Sequence, residues 1–142
     1  MDIRPANVDD ADRISDLMNE LGYAVTAAMI RQQLIDFDGC CDDAVLVAVA
    51  DDNVVGCISL HALRMFHLAQ KLGRITSFVV TSASRGRGLG SQLLASAHTW
   101  FESAGCSKFE LTSADHRIEA HRFYARHGYR HDGQRLARKV TI

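Results

Sequence analysis

The sequence predicts an α/β (α+β) fold built on a mixed sheet. Three observations point there. Segments with a helical period alternate with short β-branched runs, two of those runs flank an acidic turn, and a glycine-rich loop joins a strand to an amphipathic helix.

Ile3 and Arg4, halted by Pro5, read as a short first strand. Asn7 or Asp9 can cap a helix carrying Ala11, Ile14, Leu17, Met18 and Leu21 at helical spacing, and Gly22 ends it. Thr26 can cap a second helix with Met29, Ile30, Leu34 and Phe37 on one side, closed by Gly39. The run Ala44 to Ala50 holds Val45, Val47 and Val49. Asp51, Asp52 and Asn53 then form a turn, and Val54 to His61 returns as the second arm of a hairpin. Arg74 to Thr81 is a further strand. After the glycine loop, Leu89, Leu93, Leu94, Ala97, Phe101 and Ala104 form the buried side of a helix stopped by Gly105. Phe109 and Leu111 mark another strand. A short helix covers about Ile118 to Arg126 and ends at Gly128, and Leu136 to Ile142 is expected to close the sheet as the last strand.

No repeat, low-complexity linker or run of like charge divides the 142 residues, so a single domain spanning 1–142 is expected. Apolar residues make up 47% and charged residues 23%, the balance of a globular chain rather than a disordered one. The net charge of −1 lacks the basic footprint of a nucleic-acid binder. Apolar runs fall well short of a membrane span. Cys40, Cys41, Cys57 and Cys106 form no C-x-x-C pair, and no signal peptide is evident, so reduced thiols and a cytoplasmic location are expected. The scattered histidines include no H-E-x-x-H pattern, and no metal is expected.

The most specific feature is Ser84-Arg85-Gly86-Arg87-Gly88-Leu89-Gly90 at the start of a helix. Glycine lets the backbone approach a ligand closely. A helix N-terminus offers amide groups and partial positive charge to an anion, and Arg85 and Arg87 add forked donors. This chemistry suits phosphate. Glycines at 86, 88 and 90 do not fit the dinucleotide pattern G-x-G-x-x-G, nor is there the Gly-Lys-Ser/Thr of a P-loop.

Arg85-x-x-Gly88-x-Gly90 after the strand ending at Val80 resembles the acetyl-CoA signature of the GNAT superfamily of N-acetyltransferases. Ala120-His121-Arg122-Phe123-Tyr124, followed by Gly128-Tyr129, is similar to that family's second signature. The resemblance covers essentially the whole chain. It implies a mixed, mostly antiparallel central sheet flanked by about four helices, with a bulged, splayed strand pair holding the coenzyme. It further implies that backbone groups of Phe78, Val79 and Val80 bind the pantetheine arm and acetyl carbonyl. The amides of Arg85, Gly86, Arg87, Gly88, Leu89, Gly90 and Ser91 would hold the pyrophosphate, and Tyr124 would protonate the leaving thiolate. Acetyl-CoA is then the cosubstrate, and an amine attacks the thioester directly.

Two positions depart from the family pattern. Many relatives carry a glutamate in the strand that here reads Arg74-Ile75-Thr76-Ser77-Phe78, and Thr76 and Ser77 are not bases at neutral pH. The amine proton is left to water or to His61, His67, Glu110, Asp115 or His116. Arg117 stands where relatives often have a coenzyme-contacting asparagine. The stretch Leu60 to Leu68, with Ala120 to Tyr124, is similar to the aminoalkylphosphonate N-acetyltransferases. The resemblance thus implies a small-molecule amine acceptor. A protein or peptide N-acetyltransferase and a non-catalytic acetyl-CoA sensor are the alternatives, and a homodimer is a candidate assembly because the family often dimerises.

Overall fold

Of the two caps the sequence offers for the first helix, the chain uses Asn7. Its side chain accepts the Asp9 amide at 2.9 Å, while the Asp10 carboxylate accepts the Asn7 amide at 2.9 Å. This reciprocal box opens a 3₁₀ turn over Val8–Asp10, which runs straight into α1, Ala11–Glu20. Helix α2, Ala27–Phe37, starts where Thr26 Oγ1 accepts the Met29 amide at 3.1 Å. Ile30 and Leu34 are buried on it, but Met29 is 44% exposed, because it stands at the rim of a cavity rather than over the core.

Asp10 is itself a buried anchor. Arg4 donates to both of its oxygens, at 2.8 and 2.9 Å, and these bonds hold the carboxyl below the usual carboxylate range despite burial. A depressed folded-state pKa adds stability that is complete above the unfolded value of about 3.9 and is lost as pH falls through the folded value. Asp10→Asn is therefore expected to cost about 1–3 kcal/mol at neutral pH, since the Arg4 donors lose their charged acceptor. It should also reduce the fall in stability on acidification. Thermal unfolding at neutral and strongly acidic pH checks this, and an unchanged acid dependence contradicts it.

The computed structural model describes residues 1–113 and 118–141, which form two compact units, 1–111 and 112–142. In the first unit, strands β1 (Asp2–Pro5), β2 (Asp43–Ala50), β3 (Asn53–Leu63), β4 (Lys71–Val80) and β5 (Cys106–Leu111) lie in sequential order. Pairing is antiparallel up to β4, and β5 runs parallel to β4. Asp51 and Asp52 take φ of 50° and 62°, the left-handed geometry of a tight hairpin turn, and Asn53 already pairs with Ala50.

The period of two divides the sheet between two layers. Val47, Cys57 and Val79 pack with Ile14, Leu17 and Leu34 of α1 and α2. On the other face lies α3, Leu89–Ser103, which buries Leu93, Leu94, Ala97 and Phe101. Gly56 and Gly73 let α3 approach: a Cβ built at Gly73 would meet Phe101 at 2.6 Å, and one at Gly56 would meet Leu93 at 2.8 Å. The helix thus lies nearly on the strand backbone. No helix among the described residues is long and apolar enough to cross a membrane.

The second unit holds α4, Ile118–Arg126, ended by Gly128 at φ 87°. The strand expected over 136–142 is not formed among the described residues. Leu136 and Val140 are 90% and 77% exposed, and Arg138 and Lys139 stand between them. A segment with no buried apolar face does not recover the entropy of ordering, whatever its β-propensity. Ile142 lies outside the described residues.

Candidate active site

The β3–β4 ladder is interrupted at one place. Ser59 pairs with Ser77 and Leu60 with Ile75, so Thr76 is an extra residue on β4. The bulge leaves Thr76 and Ser77 both on the side that faces α1 and α2. Beyond it the sheet opens. β5 ends at Leu111, which pairs with Ile75, so among the described residues the β4–β5 ladder stops before Thr76 while β4 runs on beside β3 to Val80. This parting of β4 from β5 is the splayed strand pair the resemblance implies.

The chain leaves β4 through the Thr81 amide, which donates to Val55 O at 2.8 Å, and a 3₁₀ turn over Ser82–Ser84. Glu20, at the end of α1, accepts from the Ser82 amide at 3.3 Å and hydroxyl at 2.9 Å, tying down this approach to the glycine loop. Those same bonds lower the Glu20 pKa. Arg85 folds its Nε back onto Val80 O at 3.4 Å, and its own amide donates to Ser82 O at 3.4 Å. Gly86 and Gly88 take φ of 82° and 77°, and nothing lies within 4 Å of a Cβ built at either. Gly88 stands at the start of α3 without a side-chain cap, and the Gln92 amide makes its bond to Gly88 O at 3.1 Å. The amides before Gln92 therefore precede the helical ladder at the glycine loop. A diphosphate fits such a cradle: bare backbone, positive helix end, and exposed Arg85 and Arg87.

A cavity of about 370 Å³ lies in the same unit, between α1, α2 and the bulged part of the sheet. Met18, Val25, Ile30 and Phe37 give it apolar walls, while Ser59, His61, Thr76 and Ser77 form a polar floor. His61 Nδ1 lies 2.8 Å from Asp43 Oδ1, and His61 Nε2 lies 2.7 Å from Thr76 Oγ1. Thr76 Oγ1 is in turn 2.7 Å from Ser59 Oγ. The ring of Phe37 meets that of His61 edge-on, with centroids 5.6 Å apart. Burial works against the charge on Asp43, but hydrogen bonds from His61 and Cys40 outweigh it and lower its pKa. Cys57, also in the wall, is buried and its thiol is pushed up to about 12, so it stays protonated and is no nucleophile.

The other candidates for the amine proton fall elsewhere. His67 is exposed on the β3–β4 connection, and Glu110 is engaged by Arg74, whose Nε donates to it at 2.7 Å. Asp115, His116 and Arg117 lie outside the described residues. Tyr124, on α4, sits with its ring 5.4 Å from Phe123 and 5.9 Å from Tyr129. Burial raises the Tyr129 phenol to about 12. Among the described residues no group of three His, Cys, Asp or Glu could hold a metal ion.

Asp43 escaped the sequence reading altogether, and Ser59 and Thr76 carried no signal as bases. The hairpin turn was the one available clue, and counting outward from it reaches Asp42, one residue beyond Asp43, because the register shifts between Ala48 and Val49.

The model of the acetyltransferase (GNAT) family matches residues 13–129, which include both the splayed strands and the glycine turn. The chain belongs to the GNAT family and is an acyltransferase enzyme. Among its relatives, the aminoalkylphosphonate N-acetyltransferase of Salmonella typhimurium is 34% identical over 144 residues, covering 98% of this chain and 91% of that protein. The fold is shared with glucosamine-6-phosphate N-acetyltransferase from Arabidopsis thaliana, at a TM-score of 0.85 and 20% identity over 99% and 98% of the two chains. It is shared too with the aminoglycoside N-acetyltransferase AAC(6')-Iy solved in complex with CoA, at a TM-score of 0.87 and 15% identity over 99% and 95%.

Proposed function

We propose that this enzyme transfers an acetyl group from acetyl-CoA to the primary amine of a small molecule. The observation that carries this is the parting of β4 from β5 after Ile75, with Thr76–Val80 leading on towards the glycine turn at the start of α3. On this reading Phe78, Val79 and Val80 hold the pantetheine arm. The amides of Arg85, Gly86, Arg87, Gly88, Leu89, Gly90 and Ser91 hold the pyrophosphate, and the arginines add charge. The thioester is supplied by the cosubstrate. The neutral amine attacks its carbonyl directly, and Tyr124 protonates the thiolate that leaves.

The acceptor is assigned to the cavity on α1 and α2. A volume of about 370 Å³ suits a small ligand, and the polar floor lies at one end of apolar walls, as an amine on a short alkyl body requires. The similar Salmonella typhimurium protein is named for aminoalkylphosphonates, which makes that class the first acceptor to test. The family match crosses both units, which supports treating residues 1–142 as one catalytic domain. Action in the cytoplasm is part of this reading, since acetyl-CoA is a soluble cosubstrate and the cysteines are unpaired among the described residues.

Two measurements test the proposal together. Calorimetry should show uptake of coenzyme A. Thiol release from acetyl-CoA should respond to small amines and aminoalkylphosphonates and much less to peptides. Coenzyme uptake with no turnover on any amine would favour a sensor, and preference for peptides would move the acceptor to a protein.

A further inference from the structure

The amine arrives mostly as an ammonium ion, since a simple alkylammonium has a pKa of about 10.4, and only its neutral form attacks a thioester. The strand that borders the acceptor cavity offers no carboxylate at the bulge. What it offers is the hydroxyl of Thr76, exposed to the cavity and joined to an imidazole and a carboxylate behind it.

We propose that Asp43, His61 and Thr76 form a proton relay that deprotonates the acceptor, with His61 as the base and Thr76 as the group that touches the amine. This rests on the acetyltransferase reading of the cavity. The directions of the bonds follow from their chemistry. Ionised Asp43 only accepts, so His61 Nδ1–H donates to Asp43 Oδ1 at 2.8 Å. His61 Nε2 is then an acceptor, and Thr76 O–H donates to it at 2.7 Å. Ser59 O–H donates to Thr76 Oγ1 at 2.7 Å, leaving on that oxygen one lone pair for the ammonium.

In the step, the ammonium N–H bond breaks and its proton passes to Thr76 Oγ1 as the Thr76 proton passes to His61 Nε2. The amine keeps the electron pair, which then attacks. One proton has moved from nitrogen to nitrogen, and His61, with its side chain 21% exposed, returns it to water. Asp43 is a positioning residue. It fixes the tautomer and steadies the imidazolium, and its second oxygen is held by the Cys40 thiol at 3.2 Å.

The bulge makes the arrangement. With a regular ladder, Thr76 would take a place in strict alternation opposite β3. The extra residue turns Thr76 and Ser77 to the same side, over His61. The ionisable groups around His61 are Asp43 and Cys40 on the β2 side, Arg74, its register partner on β4, with Glu110 beyond on β5, and Tyr23 and Cys57 in the cavity wall. Arg74 is itself paired with Glu110.

The test uses the full chain, a small-amine acceptor that the wild type turns over, and three variants. His61→Gln should lower kcat/KM at neutral pH by ~10²–10⁴-fold, leave calorimetric uptake of coenzyme A unchanged, and recover towards wild-type rates as pH rises and the free amine accumulates. The His61→Gln rate should fall with the free-amine fraction from high pH downwards, whereas wild type should hold its rate to lower pH. Thr76→Val should lose activity with retained coenzyme uptake, and Thr76→Ser, which keeps the hydroxyl, should restore most of it. A His61→Gln enzyme with the wild-type rate and pH profile overturns the relay alone, as does a Thr76→Val enzyme equal to Thr76→Ser. A wild type that takes up no coenzyme and acetylates no amine overturns the acetyltransferase reading and the relay with it.

Discussion

Replacing Tyr124 by phenylalanine is expected to lower kcat by ~10²–10⁴-fold while leaving coenzyme uptake and acceptor KM close to those of the wild type. The change deletes one oxygen and keeps the ring, so the contacts with Phe123 at 5.4 Å and Tyr129 at 5.9 Å survive. A loss of kcat with coenzyme uptake and acceptor KM retained then points to proton donation rather than to ring packing. The thiolate of the departing coenzyme is a modest base, and protonating it in the transition state pulls collapse of the tetrahedral intermediate towards product. Tyr129 is a poor substitute, because burial raises its phenol to about 12 and so weakens it as an acid. Steady-state kinetics with a small-amine acceptor measure the effect. A Tyr124→Phe enzyme with undiminished kcat would remove Tyr124 from the mechanism and leave the thiolate to be protonated by solvent.

Gly88→Val should reduce affinity for coenzyme A by at least ~10-fold and cost roughly 1–2 kcal/mol of stability. Gly88 takes φ of 77°, where a β-branched residue is strained, although the space around its missing Cβ is open. The stability cost is backbone strain alone. The affinity cost has a second source, because an isopropyl group would occupy the space a phosphate needs against the backbone. Gly39, with φ of 78° and equally open surroundings, closes α2 and supplies the control. Gly39→Val should lower the unfolding midpoint by a similar amount without weakening coenzyme uptake. Equal uptake by Gly88→Val and wild type, measured by calorimetry, would detach the glycine turn from the coenzyme.

Local chemistry made much of this legible in advance. The caps at Asn7 and Thr26, the glycines that stop α1, α2 and α3, and the helical period of Leu89 to Phe101 all act over one or two turns, so a linear reading reaches them. The glycine turn is of the same kind, since positive φ and an uncapped helix end are properties of neighbouring residues. At the C-terminus the same logic misled. The alternation around Leu136 and Val140 is a strand signal, but a strand exists only where a partner edge and a buried face await it.

By itself, then, the sequence determined the order and kind of the elements up to β5, the glycine turn before α3 and the family to which the chain belongs. Tertiary structure alone decided what stands beside His61. Counted from the Ala50–Asn53 pair, a regular ladder would set His61 opposite Asp42; the irregularity between Ala48 and Val49 shifts the register by one and brings Asp43 there instead. A second irregularity turns Thr76 towards the same imidazole. Side chains in a sheet alternate with a period of two, so a single inserted residue exchanges the face on which a group stands, and no linear spacing records that exchange.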